Sequence, residues 1–136
     1  MTEHVHTREK ARLMKAKVAE FNRSEIARLL GMECVETWDF GARVVMETEG
    51  KRGPRGTTHG GTIFTLADQA FAIAANQEEI PQVALSAHIQ YIAPAGGRLE
   101  AVANKVEDNG ANSIYRVVVS EGDRIIALFD GVGIKM

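Results

Sequence analysis

At 136 residues and 45% hydrophobic content, the chain is long enough for one buried core and too short for two ordinary domains. A formal net charge of −2 and a pI near 6.1 give no global attraction to nucleic acid. No apolar run reaches the roughly 18 to 20 residues of a membrane span, the polar first residues lack a signal-peptide core, and Cys34, the one cysteine, excludes an internal disulfide. A soluble protein of the reducing cytoplasm is expected.

The first predicted element is a helix over about residues 7–21, where Ala11, Met14, Val18 and Phe21 recur at three- and four-residue spacing. Arg8, Lys10, Arg12, Lys15 and Lys17 make its solvated face. Ser24 then caps a second, short helix through Leu30 that Gly31 stops, so the N-terminal helical segment covers about 7–30. Ser24 to Gly31 could pass for half of a helix-turn-helix, but no recognition helix follows it. Residues 32–38 and 43–49 flank the turn Asp39-Phe40-Gly41 and read as a hairpin, with Cys34 expected as a buried structural thiol. The glycine-rich, basic stretch 50–58 reads as a loop. Residues 62–77, dense in alanine, leucine, isoleucine and phenylalanine, form the one long central helix. Strand-like runs follow at 82–93, 99–106, 113–120 and 124–134, separated by Pro94-Ala95-Gly96-Gly97, Asp108-Asn109-Gly110 and Glu121-Gly122-Asp123. A hairpin, one apolar helix and four strands in meander order predict a single α+β domain over residues 1–136, with the helix covering one face of an antiparallel sheet.

Chemistry is expected around the start of the central helix. Gly60 and Gly61 are either a plain turn or exposed N–H donors, backed by the helix dipole, for developing negative charge. Asp68 falls beside a polar stripe of Thr62, Thr65, Gln69 and Asn76. It is either a partly solvated aspartate at a helix margin or a carboxylate base that a neighbouring subunit seals into a dry cleft beside Phe64, Ala67, Phe71 and Ala72. Ser86, His88 and Gln90 alternate onto one strand face. There is no G-K-[S/T] phosphate loop and no G-x-S-x-G elbow, and His4, His6, His59 and His88 lack metal-binding spacing. Neither a metal nor a redox cofactor is expected.

The stretch His59-Gly60-Gly61, running on into Leu66-Ala67-Asp68-Gln69-Ala70-Phe71-Ala72, resembles the H-G-G, then L-A-D-x-A-F-A signature of hotdog-fold thioesterases of the phenylacetate-degradation (PaaI) type. The resemblance covers about residues 20–134. It implies a sheet wrapped around one long helix, and hydrolysis of an acyl-CoA, of aryl, phenylacetyl or medium-chain type, to a free acid and coenzyme A. Gly60 falls on the oxyanion donor, His59 on the histidine beside it, Asp68 on the general base or nucleophile, and Ser86 on a residue that holds the attacking water. Gly61, Gln69 and Arg55 are the expected substrate-binding residues. Lys51, Arg52, Arg55, Arg98, Lys105 and Arg116 are candidates for the coenzyme A phosphates.

The family pattern also implies an obligate homodimer, with glycine and acid from different subunits, commonly paired into a homotetramer. There is one departure. Several relatives carry asparagine or glutamine seven residues before the oxyanion glycine, where this chain has Gly53. Either His59 and Ser86 take over water positioning or turnover is poor, which keeps open a rival reading as a non-catalytic acyl-CoA-binding protein. An enoyl-thioester hydratase is disfavoured, because the aspartate and histidine pair those relatives carry is missing.

Overall fold

The computed structural model describes the backbone of residues 2–136 and the side chains of residues 8–136, so the side chains of His4 and His6 lie outside the described residues. The elements are α1 (Thr2–Asn22), α2 (Glu25–Leu30), β1 (Glu33–Trp38), β2 (Gly41–Met46), α3 (Gly60–Ala75), β3 (Gln82–Tyr91), β4 (Leu99–Asp108), β5 (Asn112–Glu121) and β6 (Arg124–Lys135). All strand pairs are antiparallel, in the sheet order β1-β2-β4-β5-β6-β3.

The expected α+β architecture is present, but the meander is limited to β4, β5 and β6. Short turns force those three to be neighbours. β3 pairs with β6 at the far edge, and the chain returns to β4 through residues 92–98. An extended stretch of that length reaches about 23 Å. Three strand spacings need only about 14 Å. The crossing is anchored where Ala95 O accepts from both the N–H and the hydroxyl of Thr58, at 3.1 and 2.9 Å.

α3 lies across the inward face of the sheet because its apolar surface is broad and its side chains are small. Leu66, Ala67, Ala70, Ile73 and Ala74 are fully buried against Ala42 and Val44 of β2, Leu99, Ala101 and Ala103 of β4, Tyr115 and Val117 of β5, and Phe129 of β6. Alanine on both sides lets the backbones approach closely. Phe71 fills the remaining space, with its ring 5.6 Å from Tyr115 and 5.9 Å from Phe129. A Cβ added at Gly131 would sit 2.9 Å from the Phe71 ring. Gly131→Ala is therefore expected to destabilise the fold by about 1 to 3 kcal/mol in denaturant titration, as overpacking of a rigid core does. Wild-type stability would show that Phe71 has room to move.

α3 ends at Ala75, two residues before the predicted end, because Gln77 is drawn inward to close the β1–β2 turn. Its amide nitrogen donates to Trp38 O at 2.8 Å and Gly41 O at 2.9 Å, while its oxygen accepts from Phe40 N–H at 2.8 Å. Among the described residues, the predicted one-sided α1 packs on the core through Val18 and Phe21, towards its C-terminal end. There Asn22 bridges the backbone of Cys34 at 2.8 and 3.3 Å. Cys34 is buried, as expected of a structural thiol, and burial pushes its pKa up.

Candidate active site

The loop before α3 folds back on itself. Gly53 N–H donates to Thr57 O and His59 N–H to Lys51 O, both at 2.8 Å, which delivers His59 to the N-cap of α3. An α-helix begins with orphan N–H groups that need acceptors. His59 serves three of them: Gly61 N–H donates to its Nδ1 at 3.0 Å, and Thr62 and Ile63 N–H donate to its carbonyl at 3.0 and 3.3 Å. Only the N–H of Gly60 is left with no acceptor among the described residues. A free donor at the positive end of a helix of 16 residues suits an oxyanion.

His59 thus has the geometry of a cap, a role the sequence reading did not give it, and α3 starts at Gly60, two residues ahead of the predicted start. Because Nδ1 accepts, the imidazole is neutral in this arrangement, with its proton on Nε2. A Cβ at Gly61 would lie 3.0 Å from the imidazole, so any side chain there would press on the capping ring. Gly53 also belongs to this corner. A Cβ at that position would be 3.6 Å from His59 Cδ2, so a longer residue would lie against the imidazole.

Asp68 is half-buried two turns further on and makes no hydrogen bond or ion pair among the described residues. Burial alone pushes its pKa above the ordinary carboxylate value, so the charged form is a strong base. It opens on a cavity of about 130 Å³ with Phe71, Ala72, Gln82, Val83 and Ala84 in the wall. Gly60 opens on a different cavity, about 350 Å³, walled by Thr58, Ile63, Tyr91, Ile92 and Pro94. Eight residues of helix separate the two groups by about 12 Å. One thioester cannot reach both within one protomer. A larger groove of about 490 Å³ lies between α1 and β1, and there Lys10 and Asp39 pair at 3.1 Å.

The other expected site residues fall elsewhere. Ser86 pairs with Val132, and His88 with Asp130, whereas Ile89 pairs with Phe129, whose ring contacts α3. Directly opposed residues share a face. Ser86, His88 and Gln90 therefore share the outer face, turned away from α3, and Ser86 is not brought to Asp68. Gln69 is buried and donates to Phe21 O at 3.3 Å, which ties α3 to α1. Arg55 is exposed on the loop that leads to His59.

Tyr91 is the residue sequence reasoning missed. Its hydroxyl donates to Gly60 O at 2.9 Å. A signal existed: alternation puts Tyr91 with Ala87 and Ile89 on the face opposite His88 and Gln90, towards the helix.

Comparison with known proteins identifies the family. The profile of the thioesterase superfamily matches residues 55–125, which include the N-cap, Gly60 and Asp68. The chain is 31% identical over 118 residues to acyl-coenzyme A thioesterase PaaI of Escherichia coli, covering 83% of this chain and 84% of that one. It is 34% identical to the phenylacetic acid degradation protein PaaI of Thermus thermophilus, whose structure superposes with a TM-score of 0.80 over 83% of this chain and 100% of that one. The structure of E. coli PaaI superposes with a TM-score of 0.86 at 24% identity over 93% and 95% of the two chains, a likeness of fold. The chain belongs to the thioesterase superfamily as a hotdog-fold thioester hydrolase of the PaaI type.

Proposed function

We propose that the protein hydrolyses acyl-CoA thioesters at sites shared between two copies, with the Gly60 N–H from one subunit and the Asp68 carboxylate from its partner. The observation that carries this reading is the position of the two half-sites at opposite ends of β3. Gln82, Val83 and Ala84 at its start wall the Asp68 cavity, and Tyr91 at its end walls the Gly60 cavity. β3 is an unprotected edge: every residue is exposed or half-exposed, none is Lys, Arg, Asp, Glu or Pro, and Val83, Leu85 and Tyr91 are exposed large apolar groups. Soluble proteins normally blunt such an edge. Antiparallel pairing of two β3 edges around a two-fold axis covers it and lays the start of one strand beside the end of the other. Each Asp68 cavity then faces the partner's Gly60 cavity, giving two equivalent sites. Further pairing of dimers into a tetramer follows the family expectation, and the reducing cytoplasm suits a chain with a single buried thiol.

At such a site the thioester oxygen takes the free Gly60 N–H, and negative charge developing on it is stabilised by that donor and by the α3 dipole. Asp68 removes a proton from water, whose oxygen attacks the carbonyl carbon. Collapse of the adduct releases the coenzyme A thiolate, which recovers that proton. Direct attack by the carboxylate instead forms a mixed anhydride that water then cleaves. No metal or redox group enters either route.

Salt bridges or a backbone carbonyl already engage four of the candidate cations for the coenzyme A phosphates. Arg116 is held by Asp130 at 2.8 Å, Lys105 lies 3.9 Å from Asp108, Arg98 is 3.5 Å from Glu47, and Lys51 donates to Glu47 O at 2.8 Å. Arg52 and Arg55, on the loop running into the His59 cap, have no acidic partner among the described residues. We assign them to the phosphates.

Free thiol released from a panel of acyl-CoAs tests the function. KM for an active acyl-CoA should climb with ionic strength, while KM for the same acyl group on a short uncharged thiol should stay level. Replacing Arg52 and Arg55 together by alanine should raise the first KM about tenfold and flatten its salt response. Acyl-CoA binding without thiol release would overturn the activity, and equal salt responses would overturn coenzyme A as the carrier.

A further inference from the structure

We propose that Tyr91 is a positioning residue of the oxyanion site, acting through the Gly60–Gly61 peptide. This rests on the reading of Gly60 as the donor. The two consecutive glycines that open α3 carry no Cβ to restrict their own backbone, so other contacts must fix its direction. An oxyanion donor requires a direction set before the substrate arrives. The donor N–H belongs to the His59–Gly60 peptide, and the structure restrains the next peptide, joined to it through the Gly60 Cα, at both ends. The Tyr91 hydroxyl donates to the Gly60 carbonyl at 2.9 Å, and the N–H of the same peptide, that of Gly61, donates to His59 Nδ1 at 3.0 Å. Bonds at the two ends of one amide polarise each other, so the tyrosine, the peptide and the imidazole form a single chain.

The ring adds a steric restraint. A Cβ at Gly60 would lie only 3.3 Å from Tyr91 Cζ, so the phenol is packed directly against this residue. Burial pushes the Tyr91 pKa up, so the hydroxyl remains a donor at neutral pH. Its placement carries a second consequence. Tyr91 belongs to β3, the edge proposed to pair between subunits, and its side chain is half exposed in one protomer. Pairing of the edges therefore orders the group that aims the donor, which couples assembly to competence of the site. Gly53 makes this restraint more necessary here, because no side chain at that position supports the imidazole.

The test is Tyr91→Phe, which keeps the ring and removes only the hydroxyl. Hydrolysis and amide NMR are both read, the latter with a ketone analogue of an acyl-CoA in which a methylene replaces the sulfur. kcat should fall about tenfold, the kinetic equivalent of one neutral hydrogen bond lost at the transition state, with KM within about twofold. In the wild-type protein the Gly60 amide proton should move downfield on binding the ketone. In Tyr91→Phe that response should shrink, and the Gly61 amide should shift even without ligand. Wild-type kcat with an unchanged Gly60 response would overturn the proposal. So would a raised KM with kcat intact, which would make Tyr91 merely part of the cleft wall. A wild-type Gly60 amide that ignores the ketone would instead remove the donor reading itself, whatever Tyr91→Phe does.

Discussion

Asp68→Asn is expected to lower kcat for thioester hydrolysis at least about a hundredfold while making the protein more resistant to unfolding at neutral pH. The first effect follows from removal of the one carboxylate in the cleft, with shape preserved. The second follows from linkage. Burial raises the folded-state pKa of Asp68 above its ordinary value of 3.8, so between those two values the native state binds more protons than the unfolded state. Stability contributed by this group is then lost as pH rises through that window and stays lower above it. Asparagine avoids the penalty, so the gain in melting temperature should be present at pH 7 and vanish below pH 4 or so. Activity should run the other way, since kcat/KM of the wild type must fall as pH drops through the same raised pKa. Retained turnover in the variant would remove Asp68 from the chemistry. Lower stability at pH 7 would mean that the carboxylate has a favourable partner in the assembled protein.

Mixing two inactive variants should restore about one quarter of wild-type activity if the sites are shared between subunits. Gly60→Pro is the informative partner for Asp68→Asn because it deletes the N–H itself. Proline suits the first residue of a helix, and His59, at φ −61 and ψ 132, already has the extended backbone favoured before proline. Its ring must displace Tyr91 by a few tenths of an ångström, as the 3.3 Å approach of a Cβ at Gly60 indicates. Random reassembly makes about half of the dimers mixed, and each mixed dimer has one site free of both substitutions. Refolding the variants together and measuring thiol release, with mixed dimers counted by mass spectrometry, decides the matter. Mixed dimers without recovered activity would place the glycine and the acid of each site in one subunit. A protein that sediments as a monomer would defeat the shared site altogether.

Much of this protein is local, and local features are legible in a sequence. The central helix is announced by its alanine-rich apolar run and the strands by valine and isoleucine between turn residues, whereas the capping role of His59 was not read and emerges only in the structure. Motif resemblance carries Gly60 and Asp68 because their spacing on one helix is a matter of sequence alone. The contributions of pairing between distant segments were not legible. Nothing in residues 82–98 states that β3 leaves the meander for the far edge, since a connection of that length permits either route. Once β3 pairs with β6, the pairing register decides which face each side chain takes. It turns Ser86 away from the helix, points Tyr91 at Gly60, and leaves the Asp68 and Gly60 cavities at opposite ends of one uncovered edge. Gln69 shows the same limit on a helix: its angle puts it on the polar stripe, and only the docking of α1 makes it a buried tie to Phe21. The sequence by itself determined which groups are available for the chemistry, because helix phase and capping act over a few residues. Only the tertiary structure decided which of them meet, because that depends on strand partners far apart in the chain.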